Sequence, residues 1–292
     1  MFELIVQTIA NAVIASSFTA IIAVGLVLIV GVMQIVNFAH GELYMVGAYT
    51  LWYLYMEVGF PFFGAVLCAV AVPMLVGLLM ERLLFRNMRG NLMGALILSV
   101  GMVFILQVTA VWLFGEGLMK HIDAPMSDVW NVFGLEKAVV ANQRLLVLAV
   151  AGSIMVSFWF VLKKTKLGWA LRACTQDPEA AALQGISIGK VSIIAMAISA
   201  GMAGIGGAMM APLVIVDPHM GHTVIITAFI VMIVGGMGSL EGAVIAAVLY
   251  SFINTFITTF ADGTLATIAG LLLMLLVLMI KPTGIMGTRE KA

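Results

Sequence analysis

The sequence predicts an all-α, polytopic helical membrane protein with about nine transmembrane helices, eight to ten being compatible, and with broken or re-entrant segments. Three observations carry that prediction. Of the 292 residues, 63% are hydrophobic and only 10% are charged, against roughly 25% charged in soluble proteins. Several apolar runs reach the roughly 20 residues that a helix needs to cross a bilayer. The basic residues gather in a few connecting segments that alternate with poorer ones, as the positive-inside rule requires.

The spans fall at about 7–30, 42–58, 61–80, 92–114, 144–162, 191–212, 223–240, 243–261 and 264–281. Segment 81–91 carries Arg82, Arg86 and Arg89, segment 163–190 carries five basic residues, and the tail carries Lys281, Arg289 and Lys291. Segment 115–143 sets Lys120 and Lys137 against Glu116, Asp123, Asp128 and Glu136, so it reads as external. One orientation satisfies all of these: N-terminus outside, C-terminus cytoplasmic, an odd number of spans. The weak points are 31–43 and 235–243, either of which reads equally as a re-entrant segment.

Fourteen basic residues balance fourteen acidic ones, so net charge gives no sign of nucleic acid binding. The longest polar stretches are about 28 residues, too short for an independent core, and residues 1–292 read as one domain. The N-terminus has no basic leader, so its first apolar run is expected to stay as a span. Cys68 lies in an apolar segment and Cys174 in the basic loop, which suggests neither a disulfide nor a metal framework.

The first stretch with chemistry is GVMQIVNFAHGELYMVGAY. Asn37, His40 and Glu42 fall within six residues beside Gly41. Ionisable groups at such depth are costly and face a cavity or another helix, and broken backbone there must be covered by protein or water. Two readings stand: a broken helix lining a solute path, or an interfacial turn whose polar groups cap helix ends. One His and one carboxylate are too few for a metal site. Gln107 in the fourth span reads as an interhelical hydrogen-bond partner. Gly201, Gly204, Gly206 and Gly207 in the sixth allow close helix contact. Asp217, Pro218, His219 and His222 read as an outer turn. The run VGGMGSLEGAV again breaks an apolar segment with glycine around Ser239 and Glu241. It reads either as a partner of the 37–42 break in a solute path or as a tight cytoplasmic hairpin. Asn254, Thr255, Thr258 and Thr259 give the eighth span a polar face, consistent with burial in the bundle.

Segment 163–190 is the longest polar break on the basic side and holds a short helix with its own boundaries. Asp177 suits the N-cap, Pro178 the first position and Glu179 the first turn. Ala180, Ala181, Ala182 and Leu183 follow, and Gly185 closes the C-terminus. So short a helix is marginal alone, and a small Ala/Leu surface outside the bilayer suggests either docking to a partner or an ordinary loop.

NFAHGELYMVGAY (37–49), RACTQDPEAAALQGI (172–186), AGMAGIGGAM (200–209), GGMGSLEGAV (235–244) and KPTGIMG (281–287) together resemble the LivH-type permease of branched-chain amino acid ABC importers. The resemblance implies a multi-pass subunit of the bacterial inner membrane. It implies a homologous second permease, two cytoplasmic ATPase subunits that bind the ATP, and a periplasmic substrate-binding protein. It also implies that Arg172, Asp177, Glu179, Ala180, Ala181 and Gly185 belong to the element that couples the permease to the ATPases. Relatives in this family serve urea and short amides, so the solute is less defined than the machine. The chain has no GxxxxGK motif ending in Ser or Thr, no cofactor is expected, and the chain is not expected to be an enzyme. A passive channel or ion-coupled carrier is the rival from another class, and it would need no ATPase-docking helix.

Overall fold

The computed structural model describes residues 1–115, 119–126, 128–131 and 139–287. Glu116, Glu136, Lys137, Arg289 and Lys291, used in the charge reading, lie outside the described residues. The helices are α1 (Phe2–Met33), α2 (His40–Trp52), α3 (Phe62–Leu83), α4 (Leu92–Phe114), α5 (Asn142–Lys164), α6 (Lys166–Gln176), α7 (Pro178–Leu183), α8 (Ile188–Met210), α9 (Met220–Gly235), α10 (Leu240–Phe260) and α11 (Gly263–Ile280). Among the described residues seven of them, α1, α3, α4, α5, α8, α10 and α11, are long and apolar enough to cross a membrane.

The chain is therefore a polytopic helical membrane protein, but two of the nine expected spans are short. The stretch expected at 42–58 holds α2, only 13 residues before a π-helical turn over Tyr53–Glu57. The stretch expected at 223–240 holds α9, 16 residues long. In both places the chain is non-helical just before the helix, over 34–39 and 214–219. The lost turns are spent there.

α1 forms the axis. It is apolar all round, the pattern of a helix enclosed by others, and it is buried without a break from Thr19 to Val32. It packs against α5, α8, α9 and α10. α2, α3 and α8 form a second tight group. Small residues make this possible: a Cβ on Gly47 would strike the Gly204 carbonyl, and one on Gly207 would strike the Tyr44 carbonyl.

Two faces can be told apart along α1. Near its start, Gln7 Nε2 donates to the Val139 carbonyl at 2.8 Å, which joins this end to the 115–143 segment. Near its other end, Gly31 lies against Thr175 of α6. The tail returns to that same end, where Ile285 N donates to the Val234 carbonyl at 2.8 Å.

The 115–143 segment departs from an all-α fold. β1 (Val129–Asn131) pairs antiparallel with β2 (Val139–Ala141). Three-residue strands are too short to show an alternating pattern in sequence. Lys120 exchanges two backbone hydrogen bonds of 3.0 Å with Val216, its ammonium stands 4.4 Å from the Trp52 ring centre, and Ile122 is fully buried. This part of the segment is a lid packed on the helices.

Candidate functional site

The break after α1 is built by its own residues. Gln34 takes a left-handed conformation, φ 53°, which ends α1. The chain then doubles back as a non-helical strand of residues to Ala39. Asn37 Oδ1 accepts from Ala39 N at 3.0 Å and fixes the turn that starts α2. His40 is fully buried. Its Nε2 lies 3.1 Å from the Ile22 carbonyl, and its Nδ1 lies 3.3 Å from Ser199 Oγ. Ser199 Oγ in turn donates to the Gly25 carbonyl at 2.7 Å. Ile22 and Gly25 stand eight to eleven residues before the end of α1, about 12–17 Å along its axis at 1.5 Å per residue. α2 therefore begins inside the bundle and not at its surface.

α9 begins at the same level. The first turns of α2 and α9 meet where Gly41 lies against the Gly221 carbonyl and Ile225. From this junction α2 rises towards the face carrying Lys120, and α9 descends towards the face carrying α6. Glu42 is buried there. Gln107 Nε2 of α4 donates to its Oε1 at 2.9 Å, the interhelical bond expected of that glutamine. The first turns of two helices, whose dipoles favour negative charge, surround this carboxylate. Two polar atoms at the junction, Asn37 Nδ2 and Glu42 Oε2, are buried with no partner.

The partner of the 37–42 break is thus the 214–221 break, not the run 234–244. Asp217 and His219, expected only as an outer turn, shape the approach to α9, where Asp217 Oδ1 accepts from His219 N at 2.8 Å. Ser239 and Glu241 sit elsewhere, in a tight hairpin at the α6 face. Ser239 Oγ accepts from Gly242 N at 3.1 Å and caps α10. Glu241 is exposed, 3.6 Å from Lys163 Nζ. With Arg172 these side chains line a cleft of about 270 Å³ between α5, α6 and the start of α10.

A wide groove of about 890 Å³ lies on the other side of α1, between α1, α9, α10 and the start of α11. Its lining mixes hydroxyl and amide groups with apolar ones. Asn11 and Thr19 come from α1, Thr223 and Thr227 from α9, and Ser251, Asn254, Thr255, Thr258 and Thr259 from α10. Ser251 Oγ donates to Thr19 Oγ1 at 3.2 Å and ties two of these walls together. A smaller cavity of about 120 Å³ shares Phe18, Thr19, Thr223 and Thr227 and extends the floor to Ile22, whose carbonyl holds His40. None of Asn37, His40, Gly41, Glu42, Ser239 and Glu241 lines either cavity. The 37–42 stretch stands behind the groove floor and supports it.

The α10 lining falls at i, i+3, i+4, i+7 and i+8, one helical stripe. The sequence therefore carried the signal, but a polar stripe faces a neighbouring helix as readily as a groove. Asn11, Arg144, Thr223 and Thr227 join the lining with no local pattern of their own: Arg144 follows Asn142 and Gln143, and Thr223 follows His222.

Segment 163–190 is more helical than expected. α6 is amphipathic and buries Gly168, Leu171 and Cys174 against the bundle. Burial pushes the Cys174 thiol pKa up. Arg172 is exposed on its outer side. Asp177 Oδ1 accepts from Ala180 N at 2.9 Å and starts α7. Ala181 points inward, while Glu179, Ala180, Ala182 and Leu183 face out, Leu183 being 89% exposed. Gly185, at φ 82°, turns the chain after α7. Thr175 of α6 touches both Gly31 of α1 and Gly238 after α9, so this element bears directly on the axis of the bundle.

A bundle of apolar helices, two of them short and meeting inside it, beside a groove lined with hydroxyls, defines a membrane permease by fold and site. Residues 8–287 match the family model described as branched-chain amino acid transport system / permease component, and the chain belongs to that family. As a permease component it is not an enzyme. The chain is 28% identical to the high-affinity branched-chain amino acid transport system permease protein BraD of Pseudomonas aeruginosa, over 97% of this chain and 96% of that one. It is 27% identical to LivH of the Escherichia coli high-affinity branched-chain amino acid transport system, over 99% and 97% of the two chains. It is also 28% identical to LivM, a permease protein of the same description in Escherichia coli, over 91% of this chain and 67% of that one. In fold it resembles a chain of the solved structure of PsaBC from Streptococcus pneumoniae in complex with Fab, with TM-score 0.52 and 12% identity over 94% and 92% of the two chains.

Proposed function

We propose that this chain is one permease subunit of an ATP-driven importer for branched-chain or related amino acids, and that the groove is its half of the solute path. The observation that carries this reading is the groove itself. A stripe of Ser, Thr and Asn along membrane helices is poorly suited to lipid, and such groups are kept where protein or a water-filled cavity covers them. A homologous second permease would close the groove. Similarity to both LivH and LivM, two permease proteins of one described system, supports such a pair.

On this reading the chain crosses the membrane nine times as one domain, with α2 and α9 as the two short passes. The N-terminus lies outside and the C-terminus in the cytoplasm of a bacterial cell. A loaded periplasmic binding protein docks on the face of the 115–143 segment. Two ATPase subunits engage α7 and its neighbours Arg172, Asp177, Glu179, Ala180, Ala181 and Gly185. Their closure moves α6 against Gly31 and Gly238, and so moves α9, which forms one wall of the groove. Transport needs a solute site that is stronger in one state than in the other, and a moving wall supplies that difference.

Urea or a short amide is the second reading for the solute, favoured by the many hydroxyl and amide groups of a lining that holds one charged side chain. Purification of the tagged chain in mild detergent, with mass spectrometry of what accompanies it, tests the assembly. A second permease and two ATPases are expected; recovery alone, with transport in liposomes that lack ATP, would favour an independent carrier. Competition between leucine and urea in uptake then separates the solutes.

A further inference from the structure

Of the side chains lining the groove, one is charged: Arg144, in the first turn of α5. We infer that Arg144 is the carboxylate anchor of the solute path, the group that takes the carboxylate of the amino acid solute. This rests on the reading of the groove as the path.

Arg144 is exposed, as an arginine near a membrane surface ordinarily is. Three features bear on its role. It stands at a helix N-terminus, where the macrodipole repels a cation, so its position is not explained by the stability of α5. Its Nη1 donates to Asn11 Oδ1 of α1 at 2.8 Å, which holds the guanidinium at the groove wall. Among the described residues no carboxylate lies within 4.0 Å of it. Asn11 takes one donor of the fork, and among the described residues the others meet no carboxylate, the planar group that a guanidinium matches best. The same groove carries Ile14, Phe18 and Ile226, an apolar wall for a branched side chain, and Thr and Asn oxygens that can accept from an ammonium. Urea or a simple amide has no anionic group to pair with the guanidinium.

The test uses the complete importer, reconstituted with its second permease, ATPases and binding protein. Leucine uptake is measured against the concentration of loaded binding protein for wild type, Arg144→Gln and Arg144→Lys. Arg144→Gln is expected to lower the maximal rate about tenfold to a hundredfold, the loss of a charged hydrogen bond, at an unchanged half-saturating concentration. Arg144→Lys should recover part of the rate. A maximal rate for Arg144→Gln equal to wild type, or a change confined to half-saturation as for a docking residue, overturns the assignment. If the Arg144 variants fail to assemble, Asn11→Ala carries the test: an intermediate fall in maximal rate is expected, and a wild-type rate overturns it. A wild-type complex that moves urea and not leucine would instead refute the amino acid reading on which this rests.

Discussion

Gly41 and Gly221 abut at the level where α2 and α9 both begin: a Cβ on Gly221 would lie 2.6 Å from the Gly41 carbonyl oxygen. Two short helices diverge from this one buried contact, which leaves no room for a side chain. Gly221→Val should therefore lower stability by about 1–3 kcal/mol, the usual effect of overpacking, and reduce uptake. Gly101→Ala on α4, where a Cβ meets nothing within 4 Å, should change neither. Thermal denaturation of the two variants in detergent checks this.

The bond from Gln107 to Glu42 supplies the one side-chain donor that reaches this buried carboxylate among the described residues. Gln107→Leu should destabilise the protein by about 1–3 kcal/mol or more, because a buried acceptor loses its partner. Adding Glu42→Gln should restore part of the loss, since a neutral amide is cheaper to bury than a carboxylate. A double-mutant cycle by thermal melting measures the coupling.

Leu183 is almost wholly exposed on α7, while Ala181 anchors that helix to the bundle. Leu183→Glu should leave the fold and the pairing of permeases intact and abolish ATP-driven uptake by weakening ATPase association. Asp177→Ala should have a smaller effect, because it removes a cap of about 1 kcal/mol and leaves the contact surface in place. Pull-down of the ATPases with each variant distinguishes the two.

Cys174 holds α6 to the bundle with a neutral thiol, its pKa raised by burial. Its folded pKa is above the unfolded value, so its contribution to stability is complete below the ordinary thiol pKa and is lost as pH rises through the raised one. Maleimide labelling of Cys174 should be slow at pH 7–8, around an ordinary thiol pKa of about 8.5, and should accelerate at higher pH. Fast labelling at neutral pH would mean that α6 is not packed as described.

Much of this fold was legible in sequence because lipid leaves few choices. Long apolar runs gave the long helices, and the small-residue stretch 200–209 gave the close packing of α8 on α2. The α7 cap was readable too, since Asp177, Pro178 and Gly185 act through local backbone chemistry. The site was less legible. His40 and Glu42 advertise themselves as ionisable groups at depth, yet only tertiary contacts decide whether they face a cavity or, as here, the wall behind one. The 214–221 break carries Asp217 and His219, but their spacing reads as an outer turn and nothing local ties them to the 37–42 break, whereas Glu241 drew attention to a hairpin that its exposure places at the surface. Arg144 and Asn11 lie 133 residues apart, and no local pattern joins them.

The most direct measurement is leucine uptake, alongside ATP hydrolysis stimulated by the loaded binding protein, in a reconstituted complex carrying Thr227→Trp. Thr227 lines the groove from α9 and lies far along that helix from the Gly238–Thr175 contact at the α6 face. If the groove is the solute path, the complex should assemble and hydrolyse ATP, while uptake falls at least about tenfold for the blocked route. Uptake equal to wild type, with tryptophan filling the groove, would contradict the proposal that solute passes there.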